Sequence, residues 1–526
     1  MDANLNAWWG RHLAEGLDRA GCRHVVLCPG SRNSPLLFAL AKVFADRLTT
    51  HWDERGAAFY ALGMAKAQRA PVAVCVTSGT AAANLLPAVC EADAAGVPLV
   101  VLTADRPPEL HGCGAPQTMT QTGLFGVFAD EVDVGEAAAV QAALDRLRTG
   151  VAAVATARRP VYVNIPLRDP LPPIPDGWSC PQLAEGSLRP ASSSSPAVPS
   201  DELELAAPGC GLIVAGSAES LAPSLVAQIA QATGFPVLAD ACSGLRLPDM
   251  PHLAACPDAL YARPPAAPDV IIRIGPPPLT RTGYEWLARQ RCPQIVLGGP
   301  RNADFIASGT HRLIDPDAPA IARLISVLGR AEPAWTSLWR NRLPATTGWN
   351  ATAATAIACS AEADLLWLAS SMPVRDANLV LPPGGRRVLC NRGLNGIDGT
   401  IASFLGASRG RRGICLVGDL ACLHDLNSLA LAGGEGAIVV LNNGGGAIFD
   451  FLPVAQVAGY RQLVRTDHGL DFAHAAAQFR LPYARCADAA SLVAALRRPG
   501  LSLIECDLRG SDGVAAHRAA LASAMP

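Results

Sequence analysis

The sequence predicts an α/β protein made of three consecutive doubly wound parallel-sheet domains. Short apolar runs alternate with amphipathic segments along most of the 526 residues, which is typical of parallel strands covered by helices on both faces. A chain of this length exceeds what one hydrophobic core organises. A Pro/Ser-rich stretch at 168–207 and a weaker break near 330–350 divide the runs into three groups. We therefore expect domains at 1–184, 185–335 and 336–526.

Four apolar runs are expected to build the sheet of each domain. In the first domain they lie at 24–30, 70–79, 97–107 and 159–167. In the second they lie at 211–217, 235–240, 269–275 and 294–299. In the third they lie at 386–393, 412–420, 436–446 and 501–507. Ligands of open parallel sheets bind at the carboxyl ends of the strands, so the residues that follow each run are the candidates for function.

Composition excludes several classes of protein. Half of the residues are hydrophobic, 17% are charged and the net charge is -2, so a polyelectrolyte surface for nucleic acid is not expected. The sixteen cysteines form no CxxC pair and no Cys/His cluster, which argues against a zinc knuckle and a disulfide scaffold. The first residues lack the basic start and apolar run of a signal peptide, and no stretch approaches the roughly 20 apolar residues of a membrane span. We expect a cytoplasmic protein.

Two oxygen-bearing side chains follow neighbouring strands of the third domain. Asp419 and Asn443 are 443 − 419 = 24 residues apart, with one helix between them. Carboxylate, amide and backbone carbonyl oxygens are the ligands that Mg²⁺ prefers, and the Gly444–Gly446 run lets the backbone approach a phosphorylated ligand. Spacing alone leaves an alternative open, in which Asp419 caps the next helix and NNGGG is only a turn.

Glu54 precedes a predicted helix that is rich in small apolar residues, in the segment HWDERGAAFYALGMAKA. A glutamate in such a position is usually solvated or caps the helix. The small apolar face beside it favours a buried interface instead, where the pKa of a carboxyl group would be raised. A carboxyl group of that kind donates and accepts protons near neutral pH.

Other strand ends carry hydroxyl groups and arginines. CPGSRNSPL is expected to expose Ser31 and Arg32, and TSGTAAANL places Thr77 and Ser78 at a helix N-terminus, where anions bind. The further candidates are Arg106, Gln117, Ser371, Arg375 and Arg392. Each of these can be a cap or a surface ion pair, but arginines at neighbouring strand ends favour a small, multiply anionic substrate. GxGxxG and GK[ST] motifs are missing from suitable contexts, which argues against dinucleotides and ATP.

Several motifs occur in a fixed order over nearly the whole chain: PGSR, DERG, TSGTA, TADRPPEL, CNRG with GIDG, GDL and NNGG. This order resembles the 2-succinyl-5-enolpyruvyl-6-hydroxy-3-cyclohexene-1-carboxylate synthases, thiamine-diphosphate-dependent enzymes of menaquinone biosynthesis. The resemblance implies the thiamine-diphosphate-enzyme fold, with pyrimidine-binding, central and diphosphate-binding domains in that order. It implies a transferase that uses thiamine diphosphate and Mg²⁺, with Mn²⁺ as a substitute. This transferase decarboxylates 2-oxoglutarate and adds the resulting succinyl carbanion to isochorismate. It also implies a homodimer or dimer of dimers with the active site at the subunit interface, where Glu54 of one subunit meets Asp419 of another.

The resemblance also implies roles for individual residues. Glu54 matches the glutamate that bonds the cofactor's pyrimidine N1′, and Ile397 matches the apolar wedge that bends the cofactor. The metal ligands are Asp419, Asn443 and the Gly445 carbonyl. The remaining cofactor-binding positions are Thr77, Ser78, Gly418, Leu420, Ile448, Phe449 and Leu452. Arg392, Arg375, Ser371 and Gln117 match residues that serve 2-oxoglutarate. Ser31, Arg32 and Arg106 match residues that serve isochorismate.

One position departs from the family pattern. The family has a lysine in the central domain that reaches toward isochorismate, whereas the segment PPPLTRTGYEW carries Arg281. An arginine is also a cation, but its planar head group and its length differ from those of lysine. We take Arg281 as a candidate substrate-binding residue.

Two other functions stay open from the sequence. Another thiamine-diphosphate-dependent 2-oxoacid decarboxylase or carboligase, similar to acetohydroxyacid synthase, would share Glu54 and the metal pair without requiring all of the arginines. A non-catalytic binding subunit would keep every measurable activity unchanged in a Glu54→Gln variant.

Overall fold

Three parallel β-sheets follow one another along the chain, which confirms the predicted fold class. The computed structural model describes residues 2–180, 183, 208–216, 220–298 and 304–525. All strand pairs in this part of the chain are parallel. Parallel neighbours need a crossover, usually a helix, and this explains the alternation seen in the sequence. None of the described helices is long and apolar enough to cross a membrane.

The first sheet has six strands, and the predicted apolar runs match four of them. Its strands are β1 (Val25–Leu27), β2 (Leu48–Thr50), β3 (Val72–Val76), β4 (Leu99–Asp105), β5 (Asp130–Glu131) and β6 (Val161–Pro166). Its helices are α1 (Leu5–Arg19), α2 (Ser34–Phe44), α3 (Glu54–Gln68), α4 (Thr80–Ala83), α5 (Leu86–Ala94) and α6 (Gln141–Ala152), with 3-10 turns at Pro108–Leu110, Gly126–Phe128 and Ala153–Thr156. The strand order is β2-β1-β3-β4-β6-β5. The four buried strands match the predicted runs. The edge strands β2 and β5 are short, and no apolar run in the sequence predicts them.

The second sheet has five strands in the order β11-β10-β9-β7-β8. They are β7 (Gly211–Ala215), β8 (Val237–Ala239), β9 (Val270–Ile274), β10 (Gln294–Gly298) and β11 (His311–Ile314). The helices are α7 (Pro223–Thr233), α8 (Pro257–Ala262), α9 (Arg281–Ala288), α10 (Ala318–Val327) and α11 (Pro333–Leu338). Four strands were predicted, and the edge strand β11 was not. The part of the predicted linker from residue 184 to 207 lies outside the described residues.

The third sheet has six strands in the order β13-β12-β14-β15-β17-β16. They are β12 (Leu365–Leu368), β13 (Arg387–Leu389), β14 (Arg412–Gly418), β15 (Glu435–Asn442), β16 (Tyr483–Cys486) and β17 (Leu501–Asp507). The helices are α12 (Ala351–Ser360), α13 (Met372–Val380), α14 (Thr400–Ala407), α15 (Asp419–His424), α16 (Ala473–Gln478), α17 (Ala489–Leu496) and α18 (Gly513–Ser523). Short turns lie at Leu426–Leu431, Ala447–Phe451, Pro453–Gln456 and Arg461–Arg465. The prediction missed β12 and β16.

The chain divides into two compact units. The first comprises Met1–Ser195, Gly393–Gly410 and Leu423–Gly434, and the second comprises Pro196–Arg392, Arg411–Cys422 and Glu435–Pro526. The second and third sheets therefore share a unit, and α14 belongs with the first sheet. The domain boundaries near residues 184 and 335 stay a prediction.

Within the first unit, α14 packs closely against α3. A Cβ atom on Gly63 would lie 1.9 Å from the Ser403 carbonyl oxygen, and one on Gly406 would lie 2.1 Å from the Tyr60 carbonyl oxygen. Only glycine allows two helix backbones to approach this closely. The small-residue face of α3 that the sequence shows is therefore a helix-packing face.

Within the second unit, α13 is anchored through a buried arginine. Arg246 donates to the carbonyl oxygens of Ala239 (2.9 Å), Asn378 (2.7 Å) and Leu381 (2.9 Å). The Asn378 side chain in turn donates to Asp258 at 2.8 Å. The C-terminal end of α13 is thus held to the loop that follows β8.

Candidate active site

Asp419 and Asn443 follow the paired strands β14 and β15, as the sequence predicted. Asp419 is buried and begins α15, but its Oδ2 accepts hydrogen bonds from the N–H groups of Gly444 (2.8 Å) and Gly445 (3.0 Å). The carboxylate is therefore turned toward the glycine turn. Burial raises the pKa of the Asp419 carboxyl group, although hydrogen bonds from the Leu420 and Gly445 N–H groups act in the opposite direction.

The Asn443 side chain carries an acceptor atom that could bind a cation. Its Oδ1 atom is buried and has no hydrogen-bond partner. Leaving a buried acceptor unsatisfied costs about 1–3 kcal/mol, so such an atom suits a ligand. The part of the chain that the structure describes contains no group of three or more His, Cys, Asp or Glu residues suited to a metal. A metal at this edge would therefore depend on one carboxylate together with amide and carbonyl oxygens, which hard cations such as Mg²⁺ accept.

An irregular segment, residues 461–468, covers the glycine turn. Gly444 and Gly445 have φ values of 80° and 154°, and a Cβ atom on Gly445 would lie 2.8 Å from the Arg465 carbonyl oxygen. Arg465 donates to the Asn443 carbonyl oxygen at 3.1 Å, and the His468 N–H group donates to the Gly444 carbonyl oxygen at 2.9 Å. Sequence reasoning missed Arg465 and His468, because they reach the turn only through the irregular path of this segment.

The apolar residues of the predicted cofactor site are only partly covered. Ile448 and Phe449 lie half-buried in the turn Ala447–Phe451, and Leu452 after it is exposed. Gly418 and Leu420 flank Asp419 and are half-buried. In the first unit, Ile397 is also exposed. Single exposed apolar residues are common on protein surfaces, so the cofactor-binding roles of these residues stay predictions.

Glu54 lies at the beginning of α3, where Asp53 caps the helix by accepting from the Gly56 N–H group at 3.2 Å. The Glu54 side chain is half-buried, and its Oε2 atom accepts from Asn84 at 3.4 Å. Burial, and then the charge of Glu54, raise the pKa of the Cys28 thiol. The charge of Glu54 is therefore within electrostatic reach of Cys28, which directly follows β1. Its proton-transfer role stays a prediction.

Ser78, in the turn after β3, makes a reciprocal contact with Gln117, in the loop after β4. The Ser78 hydroxyl donates to the Gln117 carbonyl oxygen at 3.1 Å, and the Gln117 amide donates to the Ser78 carbonyl oxygen at 3.0 Å. Thr77 Oγ1 is buried without a partner. A Cβ atom on Gly30 would lie 2.4 Å from the Thr77 Cβ, so the turns after β1 and β3 touch.

The arginines of the first unit are more buried than the sequence suggested. Ser31 is exposed as expected, but the expectation that Arg32 is exposed is wrong, because its guanidinium reaches inward and donates to the Leu167 carbonyl oxygen at 2.8 Å. Arg106 donates to the Pro116 carbonyl oxygen at 3.0 Å. In both arginines the Nε atom is buried without a partner.

A buried polar network that sequence reasoning missed supports these turns. Gln121 accepts from the Gly79 N–H group at 2.9 Å and donates to Asn164 at 2.9 Å. Asn164 donates to Asp105 at 2.8 Å, and Asp105 accepts from the Arg106 N–H group at 2.7 Å. The network links the turn after β3 to Arg106. The available signal was the presence of Asp105 and Asn164 within otherwise apolar strands.

In the second unit, the charge of Arg392 is near enough to affect the charge of Arg375. Burial, and next the charge of Arg392, lower the pKa of Arg375. Arg375 donates to the Ser371 carbonyl oxygen at 2.6 Å, and Ser371 has a φ of 93°. Such a backbone conformation in a residue other than glycine costs roughly 1–3 kcal/mol and clusters at functional sites. Two guanidinium groups within electrostatic reach of each other favour an anionic ligand.

Arg281 lies on the surface in the structure. Its side chain is 77% exposed and its Nε donates to Glu285, four residues later on α9, at 2.6 Å. A pair of this kind stabilises a helix only slightly. The substrate-binding role of Arg281 stays a prediction.

Glu91, on α5, holds the loop that begins at Gly393. Its Oε1 accepts from Lys66 (3.0 Å) and from the Gly393 N–H group (2.9 Å), and its Oε2 accepts from the Leu394 N–H group (2.7 Å). The Lys66 and Glu91 side chains are only 10% and 4% exposed. Sequence reasoning missed this residue, because a glutamate on an amphipathic helix is usually solvated.

Comparisons with known proteins identify a family that this chain resembles. Residues 8–124 match the family described as thiamine pyrophosphate enzyme, N-terminal TPP binding domain. Proteins named 2-succinyl-5-enolpyruvyl-6-hydroxy-3-cyclohexene-1-carboxylate synthase are similar over nearly their full lengths. The one from Myxococcus xanthus is 37% identical and covers 98% of this chain and 97% of its own. The one from Halobacterium salinarum is 36% identical with the same coverages. The one from Rubrobacter xylanophilus is 39% identical and covers 99% of this chain and 98% of its own.

Proposed function

The chain belongs to the 2-succinyl-5-enolpyruvyl-6-hydroxy-3-cyclohexene-1-carboxylate synthase family, and from this premise we propose how its own residues serve the reaction. It is a thiamine-diphosphate-dependent transferase of menaquinone biosynthesis that decarboxylates 2-oxoglutarate and joins the remaining four-carbon unit to isochorismate. The observation that supports our site assignment most directly is the buried, unpartnered Oδ1 of Asn443, next along the sheet from Asp419.

Asp419, Asn443 and the Gly445 carbonyl hold a divalent metal, Mg²⁺ or Mn²⁺, which binds the diphosphate of the cofactor. The donor set fits, because it combines a carboxylate, a free amide oxygen and a carbonyl on a glycine that allows close approach. When bound, thiamine diphosphate supplies the electron sink for loss of CO₂ and for carbon–carbon bond formation. The other residues assigned to the cofactor are Thr77, Ser78, Ile397, Gly418, Leu420, Ile448, Phe449 and Leu452.

Glu54 holds a proton against the pyrimidine nitrogen N1′ of the cofactor. Its place at the start of α3, half-buried and bonded to Asn84, supports this role, since the carboxyl group is held in place there and stays accessible to a ligand. Burying the Glu54 carboxyl group and the pyrimidine nitrogen away from solvent strengthens the hydrogen bond between them.

The arginines divide between the two dianionic substrates. Arg375 and Arg392, with Ser371 and Gln117, serve 2-oxoglutarate. The effect of the Arg392 charge on Arg375 supports this assignment, because an anion bound near both groups would relieve their repulsion. Ser31, Arg32, Arg106 and Arg281 serve isochorismate. The unpartnered Nε atoms of Arg32 and Arg106 leave donors for a carboxylate.

We further propose a homodimer, or a dimer of dimers, in which Glu54 of one subunit and Asp419 of another serve one site. The test mixes two inactive variants, Glu54→Gln and Asp419→Ala, under conditions that exchange subunits. A shared site regains about a quarter of the wild-type activity, because half of the dimers are mixed and each mixed dimer has one intact site. No recovery after proven exchange would refute the shared site.

Metal and cofactor binding test the site itself. Titration with thiamine diphosphate should show that Mg²⁺ tightens binding in the wild-type protein and loses most of this effect in Asn443→Ala. Gln478→Ala, which removes an exposed amide from α16, is the matched control and should behave as wild type. Equal Mg²⁺ dependence in the wild type and Asn443→Ala would refute the assignment of Asn443.

A further inference from the structure

One histidine near the C-terminus contacts two parts of the proposed site. His517 lies on α18, and its Nδ1 donates to Asp376 Oδ1 at 2.7 Å. Asp376 directly follows Arg375 on α13. The His517 ring also meets the Phe451 ring edge to face, with the centroids 5.4 Å apart and the planes at 87°. Phe451 ends the turn that carries Ile448 and Phe449.

The contact with Asp376 lies in the protein interior. The Asp376 side chain is only 1% exposed and that of His517 is 17% exposed. Asp376 Oδ1 accepts from just two side chains among the described residues, His517 and Thr352, the latter at 2.9 Å, and Oδ2 is buried without a partner. A buried carboxylate depends strongly on each of its donors, because water cannot replace them. Loss of the His517 donor should therefore move Asp376.

Movement of Asp376 would be transmitted to Arg375. The far end of α13 is fixed by Arg246, which bonds the carbonyl oxygens of Asn378 and Leu381. The near end carries Ser371, in its strained conformation, and the Arg375 guanidinium that folds back onto it. The Asp376 contact lies between these two ends, so it sets where the N-terminal turn of α13 points.

We infer that His517 is a positioning residue for the 2-oxoglutarate site: through Asp376 it sets the position of Arg375, and through Phe451 it supports the turn that lines the cofactor. This inference rests on the proposed assignment of Arg375 to 2-oxoglutarate. His517 itself contacts neither substrate nor cofactor. Its two contacts differ in chemistry, one being a hydrogen bond and the other a ring packing, so substitutions can separate them.

Two variants make this separation. His517→Phe keeps the ring and removes the donor, and His517→Asn keeps a donor near the position of Nδ1 and removes the ring. We expect His517→Phe to raise KM for 2-oxoglutarate about tenfold with kcat within about twofold, as loss of one hydrogen bond to a charged group predicts. His517→Asn should restore KM and weaken thiamine diphosphate binding, measured by direct titration without substrate, about threefold, because the ring contact is small. Thr352→Val, which removes the other donor to Asp376, should raise KM in the same direction.

Controls separate this inference from the proposed function and from a general loss of structure. Arg518→Gln changes an exposed side chain on the same helix and should leave both readouts unchanged. Arg375→Ala is run alongside, and an unchanged KM in that variant would overturn the proposed assignment of Arg375 to 2-oxoglutarate and the inference with it. If Arg375→Ala raises KM while His517→Phe and Thr352→Val do not, the inference alone is wrong. It is also wrong if KM, kcat and the melting temperature all change together in both His517 variants, since that marks a purely structural role.

Discussion

Replacing Glu91 by alanine should release the loop that begins at Gly393. The Glu91 carboxylate accepts three hydrogen bonds in a buried position, from Lys66 and from the N–H groups of Gly393 and Leu394. Breaking a buried charge pair by removing one partner costs about 3–5 kcal/mol. We therefore expect Glu91→Ala to cost about 4 kcal/mol, and Glu91→Gln, which keeps one acceptor oxygen, to cost about 2 kcal/mol.

Hydrogen exchange followed by mass spectrometry measures this effect at the loop itself. A loss of about 4 kcal/mol should speed exchange in a peptide that spans Gly393 and Leu394 by roughly a thousandfold, since each 1.4 kcal/mol is a factor of ten. Glu109→Ala is the matched control, because Glu109 forms an exposed pair with Arg168 in the same unit and should change little. Less than a threefold change in Glu91→Ala would refute the reasoning.

Three further predictions concern packing, pH and substrate. Gly63→Ala should lower stability by at least about 2 kcal/mol in thermal melting, because the new Cβ would lie 1.9 Å from the Ser403 carbonyl oxygen. Stability should fall as the pH drops from 6.5 to about 4, because burial, and next Arg409, lower the pKa of His24 to about 4 from its ordinary 6.5. The unfolded chain then binds more protons in that window, so His24→Asn should flatten part of the decline. Arg392→Ala should raise KM for 2-oxoglutarate at least about tenfold and leave thiamine diphosphate binding unchanged.

Each of these predictions has a control and a contrary result. Gly513→Ala is the control for packing, since a Cβ atom there meets nothing within 4 Å; equal melting temperatures in the two glycine variants would contradict the close helix crossing. Identical pH profiles for wild type and His24→Asn would show that His24 does not couple folding to acid. Equal losses of substrate use and cofactor binding in Arg392→Ala would remove its substrate role.

Most of the central strands could be predicted from the sequence, whereas most of the edge strands could not. Buried parallel strands such as β4 and β15 must be apolar along their whole length, and this leaves a continuous run in the sequence. The edge strands β2, β5 and β11 are short and partly exposed, so nothing requires them to be apolar. Exposure does not account for every strand, because the central strand β12 is fully buried and its four-residue run was still missed.

The candidate site was also predictable only in part. Asp419 and Asn443 were predictable, because adjacent parallel strands bring their carboxyl ends to one edge. The burial of Arg32 was not, because its partner Leu167 lies 135 residues away. Glu91 and Arg465 bond backbone groups of distant or irregular segments, and such contacts leave no pattern in the sequence.

The most direct test of the function is consumption of isochorismate by the purified protein. The protein is mixed with thiamine diphosphate, Mg²⁺, 2-oxoglutarate and isochorismate, and each component is omitted in turn. We expect isochorismate to be consumed only when the cofactor and 2-oxoglutarate are both present, with pyruvate failing to replace 2-oxoglutarate. No consumption in the complete mixture, or consumption that persists without thiamine diphosphate, would contradict the assignment.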